Sequence, residues 1–165
     1  MAWPGATVGR SAVKLPVDFR DVLVCLSDAE AEFMVIGGYA VAHHGHVRAT
    51  KDIDVFIRPT HENAARVMRA LEAFGAPLSA LDINADDFAT PGKVIQLGLP
   101  PLRIDILTAA TALDFEGASQ TTDRLDVDGR AVPIIGLEAL LKNKRAAARP
   151  QDLADVDSLE RLRNA

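Results

Sequence analysis

Three aspartates and one pair of glycines are the residues of this chain best suited to chemistry. In residues 50–57, TKDIDVFI, polar and apolar side chains alternate, so an extended chain points Asp52 and Asp54 to one face and Ile53, Val55 and Ile57 to the other. Cα atoms two residues apart on a strand are about 6.5 to 7 Å from each other, which lets both carboxylates lean onto one hard cation or a close pair of them. A solvated outer strand face would show the same spacing. Residues 102–107, LRIDIL, place Leu102, Ile104 and Ile106 on one face and Asp105 in the middle of the other. A lone carboxylate in so apolar a strand is costly to bury without a partner or a metal. If the two strands are neighbours, three carboxylates converge on one patch of sheet, and a divalent cation is the simplest thing that offsets their repulsion.

Ahead of the first aspartate pair, Met34, Val35 and Ile36 read as a buried strand that stops at Gly37 and Gly38, and YAVAHHG after them reads as a helix. A strand, a glycine turn and a helix start put free backbone N–H groups at the positive end of a helix dipole, with no side chain to hold an anion away. Phosphate is the natural guest. Magnesium takes oxygen ligands and often completes its shell with substrate phosphates, so it suits an Asp-x-Asp strand beside such a turn. A Gly-Gly pair can equally be a plain turn.

Taken together, GGYAVAHHGHVRATKDIDVFI and the later LRIDIL resemble the DNA polymerase beta-like nucleotidyltransferase superfamily, whose pattern is Gly-Gly or Gly-Ser, then Asp-x-Asp, then a third carboxylate. The Arg-x-Thr-x-Asp-x-Asp form (Arg48, Thr50, Asp52, Asp54) and the late segment LLKNKRAAARPQDLADVDSL are similar to the small bacterial and archaeal branch related to minimal nucleotidyltransferases and abortive-infection toxins. The resemblance spans roughly residues 17 to 162. It implies a nucleotidyltransferase fold and Mg²⁺ or Mn²⁺ held by Asp52, Asp54 and Asp105. It further implies phosphates cradled by Gly37 and Gly38, and charge neutralised by Arg48 and by Lys144 from a late helix. Asp105 would also help deprotonate the acceptor. Thr50 would either bond a phosphate or orient the start of its strand. Many members carry Gly-Ser where this chain has Gly38-Tyr39, so the serine hydroxyl is absent and backbone donors remain. The implied reaction moves an NMP from an NTP, ATP being the first choice, to a hydroxyl of a small molecule, a protein or a tRNA, with pyrophosphate leaving. A toxin role with an antitoxin partner chain also follows from that branch. The competing reading is a catalytically silent nucleotide-binding or regulatory module on the same fold.

These residues need elements to hold them. Phe19, Val22, Leu23 and Leu26 recur at helical spacing, predicting an amphipathic helix from Asp18, as N-cap, to Glu32, and then a strand over residues 33–36. Pro59 and Thr60 open a helix that runs to Phe74 and stops at Gly75. Residues 79–87 suggest a short helix, and its Asp82, Asp86 and Asp87 read as solvated acids. Residues 93–99 and 102–107 are two strands broken at Pro100-Pro101, and Asp128-Gly129 marks a hairpin. Two helices close the chain, over residues 137–148 and from Pro150 onward. Lys142, Lys144, Arg145 and Arg149 bunch there, with Asp152 and Asp155 placed to cap the last helix or pair with Arg149 and Lys144. The expected architecture is α/β (α+β), a mixed sheet flanked by helices with a C-terminal helical pair.

His43, His44 and His46 cluster at one helix end. Neighbouring residues on a helix point apart, which favours a structural role or the lining of an acceptor pocket over a dedicated zinc site. Cys25, the only cysteine, reads as a packed thiol, rules out an internal disulfide and fits a reducing cytoplasm. A net charge of −5 with pI near 5.3 argues against coating nucleic acid. No long apolar run or charged-then-apolar leader is visible, so neither a membrane span nor a secretory signal is expected. At 165 residues, with 48% hydrophobic and 25% charged, one domain over residues 17–165 behind a flexible arm at residues 1–16 is the expected division.

Overall fold

The computed structural model describes residues 14–98 and 102–165. In chain order its elements are α1 (Val17–Asp28), β1 (Phe33–Ile36), α2 (Gly37–His43), β2 (Asp52–Ile57), α3 (His61–Phe74), α4 (Ala85–Ala89), β3 (Val94–Leu97), β4 (Arg103–Leu107), α5 (Phe115–Ser119), β5 (Asp123–Val127), β6 (Arg130–Ile134), α6 (Leu137–Ala147) and α7 (Pro150–Asn164). The strands make one mixed six-stranded sheet in the order β3-β4-β2-β1-β6-β5. Alternation on β2 and β4 sends Ile53, Val55, Ile57, Ile104 and Ile106 into the core, where Phe19, Val22, Leu23 and Leu26 of α1 and Val67 and Leu71 of α3 are also buried. Each such side chain contributes about 1.5–3 kcal/mol of burial free energy. The opposite phase of the same alternation delivers the aspartates.

Register does the rest. β2 and β4 are adjacent and parallel, with Asp54 opposite Asp105 and Asp52 opposite Arg103. β1 runs antiparallel to β2 with Ile36 opposite Asp54, so Gly37, the next residue, emerges beside the carboxylate. β6 pairs with β1 in parallel and leads through Gly136 into α6, bringing the C-terminal helices to the sheet. The hairpin of β5 and β6 turns at Asp128 (φ 49°) and Gly129 (φ 83°), both left-handed as a two-residue turn of that hand requires. Thr60 caps α3 by accepting from the Asn63 N–H, and left-handed Gly75 ends it.

Several boundaries differ from expectation. α1 stops at Asp28 rather than Glu32, because the chain must turn into β1 and does so through Glu30 at φ 57°. Pro16 holds the N-cap position, and Asp18 lies in the first turn, where its charge favours the dipole. The helix expected over residues 79–87 forms only at Ala85–Ala89. Asn84 fixes its start by accepting from the Asp86 N–H, and Asp87 accepts from the Asn84 N–H. Asp87 also pairs with Lys93 at 2.7 Å and so is not merely solvated. Leu102 precedes β4 and is exposed instead of packing with Ile104 and Ile106. Pro100-Pro101 and the first thirteen residues of the expected arm lie outside the described residues, while Leu15 packs against the core. Among the described residues, no helix is long and apolar enough to cross a membrane.

Candidate active site

The three aspartates meet in a cleft of about 720 Å³ whose lining also includes Gly37, Gly38, Arg48, Thr50 and Lys144. Asp105 is only 7% exposed, and Asp52 and Asp54 are half-buried. Burial pushes the Asp54 carboxyl up to about 6, with the negative charges of Asp105 and Asp52 adding to the effect and Lys144 opposing it. A hydrogen bond with Asp105 favours the same protonated form. A buried carboxyl that resists ionisation beside two further carboxylates is a donor set that suits a cation.

One cation is already built in, and it is absent from the residues picked by sequence. Arg103 stands two positions before Asp105 on the same face of β4 and opposite Asp52 across the strand pair. Its Nε donates to Asp105 Oδ1 at 2.9 Å, and its Nη2 donates to Asp52 Oδ2 at 3.0 Å and to Asp105 Oδ2 at 3.3 Å. The signal was available in the period-two spacing of Arg103 and Asp105. It supplies the partner that a buried Asp105 requires.

The glycines are needed for close approach. Gly37 has φ 71°, and a Cβ there would collide with Asp54 Oδ2. A Cβ on Gly38 would lie 2.8 Å from Thr50 Oγ1 and 3.4 Å from Arg48 Nη1. Thr50 donates to the Asp52 carbonyl at 3.2 Å, which holds the start of β2 in place. Tyr39, where the Gly-Ser form of the resembled pattern would place a serine, turns into the core and packs edge-on to Phe19 with ring centres 5.6 Å apart.

Across the cleft the cations are tied together. Lys144 is 5% exposed, and its Nζ lies 3.0 Å from both Asp152 Oδ1 and Asp155 Oδ2. Arg48 grips Asp155 with Nε at 2.8 Å and Nη2 at 2.9 Å, and Arg149 Nε donates to Asp152 at 2.7 Å. The pairing of Asp152 and Asp155 with Arg149 and Lys144 is therefore present, with Arg48 added to it. Burial alone would raise the carboxyl of Asp155, but hydrogen bonds from Arg48, Lys144 and Gln151 outweigh it and hold the carboxyl below its usual range. Asp152 is likewise held low against burial by Arg149 and Lys144. Three cations face two carboxylates, leaving the cluster net positive beside the acids. Asn143 donates to the Thr111 carbonyl at 2.9 Å and ties α6 to the loop after β4.

His43 and His44 lie elsewhere and do not diverge. His44 sits at the C-cap of α2, where the helix ends, and its ring meets that of His43 edge-on at 5.0 Å. His43 Nε2 is 3.0 Å from Asp123 Oδ2 and His44 Nε2 is 2.8 Å from the Ile135 carbonyl. His43, His44 and Asp123 bring ligand atoms within 4.8 Å of one another, a grouping that could hold a metal ion. None of the three lines the acid-bearing cleft. Cys25 is half-buried, and burial, followed by Asp21 and Asp28, pushes its thiol up, away from nucleophile chemistry.

Comparison with known proteins agrees with this fold. By fold the chain is similar to a Thermotoga maritima protein assigned as a nucleotidyltransferase, at 16% identity and a TM-score of 0.53, with 88% of each chain covered. It is also similar to the lincosamide antibiotic adenylyltransferase LnuA, solved with lincomycin, at 17% identity, TM-score 0.53, and 91% and 98% coverage of this chain and that one. A third similar structure is ANT(2'')-Ia in complex with adenylyl-2''-tobramycin, at 15% identity, TM-score 0.51, and 86% and 84% coverage. At these identities the likeness establishes the fold alone. No curated protein matches the chain by sequence. The family model of aminoglycoside-2''-adenylyltransferase, however, matches residues 18–161, the stretch that carries every element of the cleft, and the chain thus belongs to that nucleotidyltransferase family.

Proposed function

We propose that this nucleotidyltransferase moves an NMP, AMP in the first instance, from its NTP to a hydroxyl of a small-molecule acceptor, with Mg²⁺ or Mn²⁺ held by Asp52, Asp54 and Asp105. The observation that carries the reading is the in-register pair Asp54 and Asp105 on adjacent parallel strands, with the Asp54 carboxyl pushed up to about 6 by burial and by its acidic neighbours. The donor set fits a hard divalent ion: three carboxylates, no thiolate or imidazole among the described residues that line the cleft, and mutual repulsion that the ion would relieve. When bound, the ion supplies charge neutralisation at the phosphates and in-line alignment of the reacting groups.

The protein's own groups do the remainder. Asp105 accepts the proton of the acceptor hydroxyl. The acceptor oxygen bonds to the α-phosphorus as the bond to the bridging oxygen breaks, and pyrophosphate leaves. Gly37 and Gly38 admit the phosphates to the backbone. Arg48 and Lys144, with Arg149 also lining the cleft, stabilise the charge that gathers on the leaving group. Thr50 keeps β2, and with it Asp52, in register. A cleft of about 720 Å³ is the size of small-molecule sites. LnuA with lincomycin and ANT(2'')-Ia with an adenylylated tobramycin also support a small acceptor and transfer of an adenylyl group. No observation favours a protein or tRNA acceptor, or the antitoxin partner that the sequence resemblance admitted.

The test is incubation with Mg²⁺, each labelled NTP and pools of hydroxylated small molecules, followed by detection of pyrophosphate and of label on the acceptor. Transfer that Asp54→Asn abolishes is the expected result. Absence of pyrophosphate with every pool, together with triphosphate binding that ignores metal, would overturn the proposal in favour of a silent binding module.

A further inference from the structure

Arg103 holds the oxygens that a metal ion would need. Its guanidinium engages both oxygens of Asp105 and one of Asp52, at 2.9 to 3.3 Å. Magnesium demands oxygen ligands at about 2.0–2.1 Å in near-octahedral order, and manganese suits the same carboxylate set. The same lone pairs cannot serve the fork of an arginine and a divalent ion together, and placing three positive charges on so few oxygens adds repulsion. Metal and Arg103 in its observed position therefore compete for Asp105 and Asp52. An arginine always carries its charge, so proton loss cannot release it; it must move. Its side chain is partly exposed, which leaves room for that movement, and a polyphosphate is the partner a planar fork suits best after a carboxylate.

We propose that Arg103 is a displaceable counter-cation. It holds Asp52 and Asp105 until a divalent ion arrives, weakens the binding of that ion alone, and exchanges its carboxylates for the phosphates of the nucleotide when metal and triphosphate bind together. The arginine thereby makes the cation site conditional on nucleotide. A state whose ligands are occupied binds in proportion to the fraction in which they are released, so removal of the competitor tightens binding by the inverse of that fraction. This inference rests on the metal reading given above and concerns the regulation of the same site.

The experiment is titration of Mn²⁺ into the purified protein, with free Mn²⁺ followed by its electron paramagnetic resonance signal, with and without α,β-methylene-ATP. Wild type, Arg103→Gln, Arg103→Lys and Asp54→Asn are compared, and melting curves confirm that each is folded. Arg103→Gln should bind Mn²⁺ alone more tightly than wild type, on the order of tenfold, and the further gain from the nucleotide analogue should shrink. Arg103→Lys keeps a charge but loses the fork, so it should fall between the two and serves if the glutamine variant does not fold. Equal or weaker Mn²⁺ binding by the Arg103 variants, while Asp54→Asn loses it, would overturn the displaceable arginine and leave the metal site standing. Failure of wild type and all Arg103 variants to bind Mn²⁺, with or without the analogue, would remove the metal reading and this inference together.

Discussion

Asp54 is held in a setting that resists its charge. Above its folded pKa of about 6 the carboxylate is ionised in both native and unfolded chains, and the native state bears the cost of burial beside Asp105 and Asp52. Raising a carboxyl from 3.8 to about 6 corresponds to a penalty on the order of 2–3 kcal/mol. That penalty is full above pH 6, shrinks as pH falls from 6 toward 3.8, and is gone below it. Asp54→Asn should therefore be the more stable protein at pH 7, measured by urea denaturation without metal, and should lose that advantage across this window. Its transfer rate should fall by at least about a hundredfold. An unchanged stability difference from pH 7 to pH 4 would show that Asp54 is not the strained group. Gly37 is the matching constraint on the backbone side. Gly37→Ala meets both a left-handed φ and the Asp54 carboxylate, so a loss of about 1–3 kcal/mol in denaturation and a further loss of transfer are expected.

Between elements, the join of α6 to α7 is held by a cluster of buried charges. Lys144 from α6 sits between Asp152 and Asp155 of α7, and Arg48, from the loop before β2, closes on Asp155. Removing one partner of a buried ion cluster leaves the others uncompensated, at a cost of about 3–5 kcal/mol. Lys144→Ala should lose stability on that scale, and adding Asp152→Asn should restore part of it, which a double-mutant cycle in urea measures. Strictly additive losses would mean that the lysine acts on its own. The bunching of basic residues in this segment was legible in the sequence, and so was their pairing with Asp152 and Asp155. What the spacing did not reveal is how deeply the helix pair buries Lys144, because burial depends on packing partners far away in the chain. The reach of Arg48 to Asp155 was hidden for the same reason. Arg103 is a different case: a strand face read for its acids alone left its arginine uncounted.

At the scale of the molecule, the cleft joins parts of the chain that fold from distant segments. The period-two alternation of β2 and β4 was readable, and so were the glycine turn and the Asp128-Gly129 hairpin, because each is a local pattern with a local cause. The strand order was not, since the parallel pairing of β6 with β1 and of β4 with β2 is set by how helices cover the sheet. That order puts the acids on central strands, facing Lys144 of α6, Arg149 at the start of α7 and Arg48 of the loop before β2, so a triphosphate and its metal would bridge the two groups. A ligand present at a hundred times its dissociation constant stabilises the native state by about 2.7 kcal/mol. Saturating Mg²⁺ with α,β-methylene-ATP should raise the melting temperature more than the sum of either alone. It should also slow backbone hydrogen exchange both in β2 and β4 and in α6 and α7. Protection confined to the strands would mean that the nucleotide is held by the sheet without Lys144 and Arg149, and the roles given to those cations would fall.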